Sequence, residues 1–144
     1  MELALVVHLL SKTAQAPTKA YSGDLGWDFY CSEDVILSPR QTTAVKTDIS
    51  LVLPPGHGMI LMSRSSMALK NLTVEGGVID SGFRGEIKVL LHNHNKESIE
   101  IVCGAKIAQG ILVNTVEVEI KTERNKESLV SNGRNEKGFG SSGK

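Results

Sequence analysis

No stretch of this sequence is long and apolar enough to cross a membrane, since a spanning helix needs about 20 such residues and the apolar runs here are strand-length. Neither sign of charge is in excess. The 16 Lys and Arg balance 16 Asp and Glu, so there is no broad basic field for duplex nucleic acid, and an anionic ligand must be met by a few local groups. Neither nucleic acid nor membrane is implied as a partner. Cysteine is scarce. Cys31 and Cys103 are far apart in sequence, lie in apolar surroundings and belong to no metal-spaced pair. They read as buried free thiols in a reducing, intracellular and cytoplasmic setting, with a nuclear or viral-host context left open. The first ten residues are apolar but lack a basic leader and an evident cleavage site, so they do not read as a signal peptide. Heptads, internal repeats, low-complexity blocks and any tight Asp/Glu/His cluster are missing as well.

What is present is period-two patterning over a length of 144 residues, which suits one domain. Leu3, Leu5, Val7 and Leu9 alternate, as do Val35 and Leu37. Val45, Thr47, Ile49, Leu51 and Leu53 share one face of a long strand, with Lys46, Asp48 and Ser50 opposite. Met59–Met62 reads as a buried strand. Further alternation falls at Ile87/Val89, Ile99/Ile101 and Val116/Val118/Ile120. Residues 11–25, Pro54–Gly56 and the polar turn His92–Asn95 separate the strands, and Ser65–Lys70 predicts one or two helical turns. The fold class expected is all-β, a jelly-roll-like sandwich or barrel over residues 1–130. Residues 131–144, rich in Gly and Ser, read as a mobile C-terminal arm.

The sequence is organised around residues 76–91, Gly-Gly-Val-Ile-Asp-Ser-Gly-Phe-Arg-Gly-Glu-Ile-Lys-Val-Leu-Leu. The apolar pair Val78-Ile79 leads straight to one carboxylate, Asp80, and a turn follows. Gly76 and Gly77 permit positive φ or a close ligand approach. Taken alone, Asp80 also fits a turn residue that bonds its own backbone.

Its company along the chain decides the matter. Ser22–Phe29 is similar to Ala-Gly-Tyr-Asp-Leu. Ser63–Ala68 is similar to Pro-Arg-Ser-Gly-Leu-Ala, and Gly77–Gly85 to Gly-Val-Ile-Asp-x-Asp-Tyr-Arg-Gly. Gly104–Gln109 is similar to Gly-Asp-Arg-Ile-Ala-Gln, and Arg134–Gly143 to Arg-Gly-x-x-Gly-Phe-Gly-Ser-Thr-Gly. These motifs, in this order over residues 22–143, resemble the trimeric dUTPase family. Any one is weak; together they are specific.

The resemblance implies hydrolysis of dUTP to dUMP and pyrophosphate. A triphosphate carries about four negative charges, and attack on its α-phosphorus needs a placed water, a base and cations. Asp80 would be the base. Arg64, Ser65, Ser66 and Gln109 would bind phosphate oxygens, Arg64 by charge and fork geometry. Mg2+ would bridge the phosphates and keep most of its waters, and the resemblance implies that Asp28 meets it through water. For Arg64, Gln109 and Asp28 the plain alternatives are a surface ion pair, a satisfied strand-edge residue and a turn cap. The backbone of Gly77, Val78 and Ile79 would read uracil. Phe83 would pack on the sugar and exclude a 2′-hydroxyl, and Lys88 would stand at the edge of the nucleoside site. From the arm, Phe139 with Gly140 would cover uracil and Arg134 would reach the phosphates, closing the active site. The family also implies a homotrimer with active sites shared between chains.

Departures qualify the match. Phe83 stands for the family's Tyr, Gly82 for its second Asp, Ser66 for Gly, Gly58-Met59 for Tyr-Gly, and Asn135 for Gly. Arg64-Ser65-Ser66 and Asp80-Ser81-Gly82-Phe83 are similar to motifs of dCTP deaminase, an enzyme of the same fold. That enzyme needs a Glu ten residues after the Asp, where this sequence has Leu90, followed by Leu91 and His92. A dUTPase-like regulatory binder without chemistry is a further alternative. Asp28, Arg64, Ser65, Asp80, Gln109, Arg134 and Phe139 are all in place against it.

Overall fold

A computed structural model describes residues 3–125. Ten strands and one short helix follow in the order β1 (Val6–Leu9), β2 (Gly26–Tyr30), β3 (Val35–Leu37), β4 (Thr42–Val52), β5 (His57–Met62), α1 (Ser65–Ala68), β6 (Leu72–Glu75), β7 (Val78–Ile79), β8 (Glu86–Asn93), β9 (Ile99–Ile101) and β10 (Lys106–Asn114). One sheet runs β1-β4-β8-β6, a second β2-β10-β5-β7, and β3 pairs with β9. All pairings are antiparallel. The expected all-β, jelly-roll-like class holds.

Alternation explains the core. On β4, Val45, Thr47, Ile49 and Leu51 are buried, and on β8 Ile87, Val89 and Leu91 meet them. Phe29, Leu37, Met59, Leu61, Leu72 and Ile107 fill the interior from the other strands. Truncating one such side chain, Leu91→Ala for instance, removes about 2–5 kcal/mol through lost transfer energy and the cavity left behind. The buried Thr47 hydroxyl donates to the Ile87 carbonyl, so its polar atom has a partner. Around it the ladder slips: Lys46 faces Lys88, but Ser50 faces Glu86. The extra chain on β4 puts Asp48 at φ +53, and its N–H donates to Glu86 Oε2 at 3.1 Å.

Four expectations need correction. His92 and Asn93 are not a polar turn but the end of β8. Asn93 is fully buried, donating to the carbonyls of Leu37 (3.0 Å) and Glu97 (2.9 Å) while its Oδ1 accepts from the Asn95 N–H (2.9 Å). Met59–Met62 is buried on one side only: Met59 and Leu61 point inward, Ile60 and Met62 outward. Cys31 is buried but Cys103 is exposed, because it falls in the turn between β9 and β10. The thiols are near in space, each donating to a carbonyl next to the other, Cys31 to Val102 and Cys103 to Ser32. Burial pushes the Cys31 thiol up. Finally, Val116, Val118 and Ile120 form no strand and are exposed. Among the described residues no helix is long and apolar enough to cross a membrane.

Candidate active site

The hairpin around Asp80 lines a cleft of about 290 Å³. β7 lies at the edge of its sheet, bonded to β5 through Met59↔Ile79 and Ile60↔Val78. Before it, Gly77 takes φ +96 and its carbonyl accepts from the Leu61 N–H at 2.7 Å. A Cβ at Gly77 would stand 2.5 Å from the Leu61 carbonyl oxygen, so only glycine permits this approach. After it, the Phe83 N–H returns to the Asp80 carbonyl at 3.1 Å, and Arg84 donates to the carbonyls of Ser81 (3.0 Å) and Phe83 (3.1 Å). Gly77, Val78, Ile79, Asp80, Phe83 and Lys88 therefore line one wall together with Leu61, Glu86, Ile87 and Leu90. Asp80 is exposed and Phe83 is 46% exposed, an apolar ring left open beside a carboxylate.

A second, shallower cleft is lined by Asp28, Arg64, Ser65, Ser66 and Gln109. Asp28 is no turn cap; it lies within β2, opposite Gln109 on β10. Its Oδ1 accepts from Arg64 Nε at 3.2 Å and its Oδ2 lies 3.5 Å from Lys106 Nζ. Arg64 also donates to Ser66 Oγ at 3.2 Å. The Gln109 amide donates to the Ser63 carbonyl at 3.0 Å, and Gly26 across the ladder leaves room for it, since a Cβ there would meet Gln109 Oε1 at 2.7 Å. Arg64 precedes α1 in extended backbone (φ −77, ψ 142). The Met67 and Ala68 N–H groups donate back to the Arg64 carbonyl (3.0 and 2.9 Å), and the Ser65 and Ser66 hydroxyls of the same turn line the cleft, donors of a kind that can meet an anion. Cations, hydroxyls and one carboxylate are thus gathered at one cleft, groups whose chemistry can meet an anionic ligand.

The structure thus gathers the site residues expected from sequence into two groups that share no lining residue. Arg134, Phe139 and Gly140 lie outside the described residues. Sequence reasoning missed Lys106 and Glu86. Lys106 lies inside the Gly104–Gln109 motif, and that was its one signal. Glu86 lines the Asp80 cleft, held by the Asp48 N–H, and gave none. Leu90 stands in the same cleft, so the position where a deaminase would need a glutamate is apolar.

A family model described as dUTPase matches residues 12–143. The deoxyuridine 5'-triphosphate nucleotidohydrolase of Candida albicans is 39% identical over 142 residues, covering 98% of this chain and 89% of the relative. That of Clostridium tetani is 37% identical over 146 residues, covering 99% of each. Among solved structures, the dUTPase of Staphylococcus bacteriophage 80alpha with dUpNHpp superposes with a TM-score of 0.87 at 33% identity, covering 97% of this chain and 98% of that one.

Proposed function

The chain belongs to the dUTPase family, and from that premise we propose that it hydrolyses dUTP to dUMP and pyrophosphate, by attack of an Asp80-activated water on the α-phosphorus. The observation that carries the reading is the joint presence of Asp80, Phe83 and the edge of β7 in one cleft. An edge strand offers unpaired N–H and C=O groups on its free side, and uracil has the complementary donors and acceptors. The backbone of Gly77, Val78 and Ile79 reads the base there, too close for a thymine methyl. Phe83 packs on the sugar, and Lys88 borders the nucleoside. Asp80, at a strand end braced by the Phe83 N–H, takes the proton of the attacking water.

The triphosphate lies along Arg64, Ser65, Ser66 and Gln109. Mg2+ fits this chemistry: Asp28 is a single carboxylate beside the phosphate donors, which suits contact through water rather than a protein-made cage. When bound, the ion neutralises phosphate charge. Arg64 binds by charge and geometry, while Ser65 and Gln109 add neutral donors. Residues 131–144 act as an arm that closes the site, with Arg134 at the phosphates and Phe139 and Gly140 over uracil, next to a β domain of residues 1–130.

The clefts share no residue, and the exposed alternation Val116/Val118/Ile120 has no strand partner among the described residues. Both observations favour a homotrimer whose active sites combine the Asp80 cleft of one chain with the Arg64 cleft of another. Neither nucleic acid nor membrane is a partner in this reading, and the setting is intracellular. Pyrophosphate release from dUTP, UTP, dCTP and dTTP in parallel tests it. Release from dUTP alone is expected. Ammonia from dCTP would mean a deaminase, and nucleotide binding without turnover would mean a regulatory binder.

A further inference from the structure

The geometry points to Lys106 as a positioning residue of the Arg64 cleft: it holds Asp28, and so leaves Arg64 able to turn to a polyphosphate. The inference rests on the reading of that cleft as the triphosphate site. It begins with an irregularity in β10. Gln109 pairs with Asp28 and Ala108 with Phe29, but Lys106 pairs with Tyr30, so one residue is extra on β10. Ile107 and Ala108 are both fully buried, two neighbours facing the core in succession. In a regular strand, residues an odd number apart face opposite sides. The bulge cancels that rule and puts Lys106 on the same side as Gln109, over Asp28. Bulges interrupt the ladder, and they recur beside active sites because they re-aim a side chain.

The charges explain what the re-aimed lysine does. Asp28 divides its two oxygens between Arg64 Nε at 3.2 Å and Lys106 Nζ at 3.5 Å. A polyphosphate arriving here competes with Asp28 for Arg64. With Lys106 present, Asp28 still has a cation after Arg64 turns away, and the cleft keeps one net positive charge. Without it, Asp28 holds Arg64 and repels the ligand. The effect therefore grows with ligand charge. A solvated surface ion pair, the plain alternative, contributes little to anything.

The test uses the full chain and calorimetric binding of inorganic tripolyphosphate and of dUMP, both without Mg2+. Lys106→Met should weaken tripolyphosphate binding by about 10- to 100-fold, the span of a hydrogen bond to a charged group, and dUMP by under about threefold. Lys106→Arg should restore tripolyphosphate binding to within about threefold of the parent, since charge and reach are kept. In the Lys106→Met/Asp28→Asn double variant most of the loss should vanish, because no carboxylate remains to hold Arg64. Asp28→Asn alone should tighten tripolyphosphate binding, a result that stands even if Lys106→Met fails to fold. Equal losses for both ligands, no loss, or a double variant no better than Lys106→Met would overturn the inference, the last by showing direct phosphate contact instead. So would unchanged or weaker binding by Asp28→Asn. A parent protein that binds tripolyphosphate but leaves dUTP intact would sink the hydrolase reading alone. A parent that hydrolyses dUTP, with Lys106→Met binding like it, would sink the Lys106 inference alone.

Discussion

The backbone N–H of Phe83 donates to the carbonyl oxygen of Asp80 at 3.1 Å. One turn thereby fixes a carboxylate and an aromatic ring at its two ends, both facing the same cleft. Asp80→Asn keeps this hydrogen bond, which uses only backbone atoms, and keeps the side-chain shape, but an amide cannot take a proton from water. A drop in kcat of about 10²–10⁴-fold is expected, with binding of a non-hydrolysable dUTP analogue retained. Steady-state kinetics beside calorimetry separates the two, and near-normal turnover would remove Asp80 as the base.

In the proposed function Phe83 bears on the sugar. Its ring is 46% exposed at the cleft wall, so it is available to a ligand rather than spent in the core. Phe83→Ala opens the space a 2′-hydroxyl would need. The ratio of kcat/KM for UTP to that for dUTP should rise by about tenfold or more. An unchanged ratio would mean that sugar discrimination lies elsewhere.

Much of this was legible in the sequence because alternation and burial report the same physics. Every second residue of β4 from Val45 to Leu51 is buried, as the pattern requires. The hairpin glycines were readable too: Gly76 and Gly77 both take positive φ. What alternation misses is its own interruption. Asn93 looks like loop sequence among His and Asn, yet it is a core residue whose amide ties β8 to the carbonyls of Leu37 and Glu97. Ile107 and Ala108 are consecutive and both buried, so strict alternation gives Lys106 the wrong side and hides its contact with Asp28. Val116, Val118 and Ile120 alternate as a strand should, but a strand also needs a neighbour to bond, and sequence pattern does not say where one is.

Acid should weaken the fold partly through Asp48. The Ser11 hydroxyl beside it, with the Ser32 hydroxyl and the Lys46 ammonium adding, holds its carboxyl below the usual carboxylate range, against the opposing effect of desolvation. Lys46 is pushed up in turn, chiefly by its hydrogen bond to Asp48. A depressed folded pKa stabilises above the unfolded value of about 3.9, and that stability is lost as pH falls through the folded value. Asp48→Asn should therefore show a shallower fall in urea midpoint between pH 5 and pH 2 than the parent. Asparagine tolerates the left-handed backbone at this position. Parallel pH profiles for the two proteins would exclude Asp48 as a source of the acid sensitivity.

The arm proposed for residues 131–144 separates fold from catalysis. Every buried apolar residue described lies between Phe29 and Ala108, so deleting 131–144 removes none of those core side chains. The thermal midpoint of the truncated chain should match the parent within about 2 °C, since a change of 1 kcal/mol shifts it by several degrees in a domain of this size. Turnover should suffer strongly, because in the proposed mechanism Arg134 and Phe139 act on a closed site where water is excluded and charge builds on the phosphates. A group that acts mostly in the transition state lowers kcat and kcat/KM together and changes ground-state binding less. Truncation should thus reduce kcat by about 10²-fold or more while the Kd of a non-hydrolysable dUTP analogue rises by under about tenfold. Full activity in the truncated protein would remove the arm from the mechanism. A lowered thermal midpoint would instead make the arm part of the fold, packed on its own chain or on a neighbour.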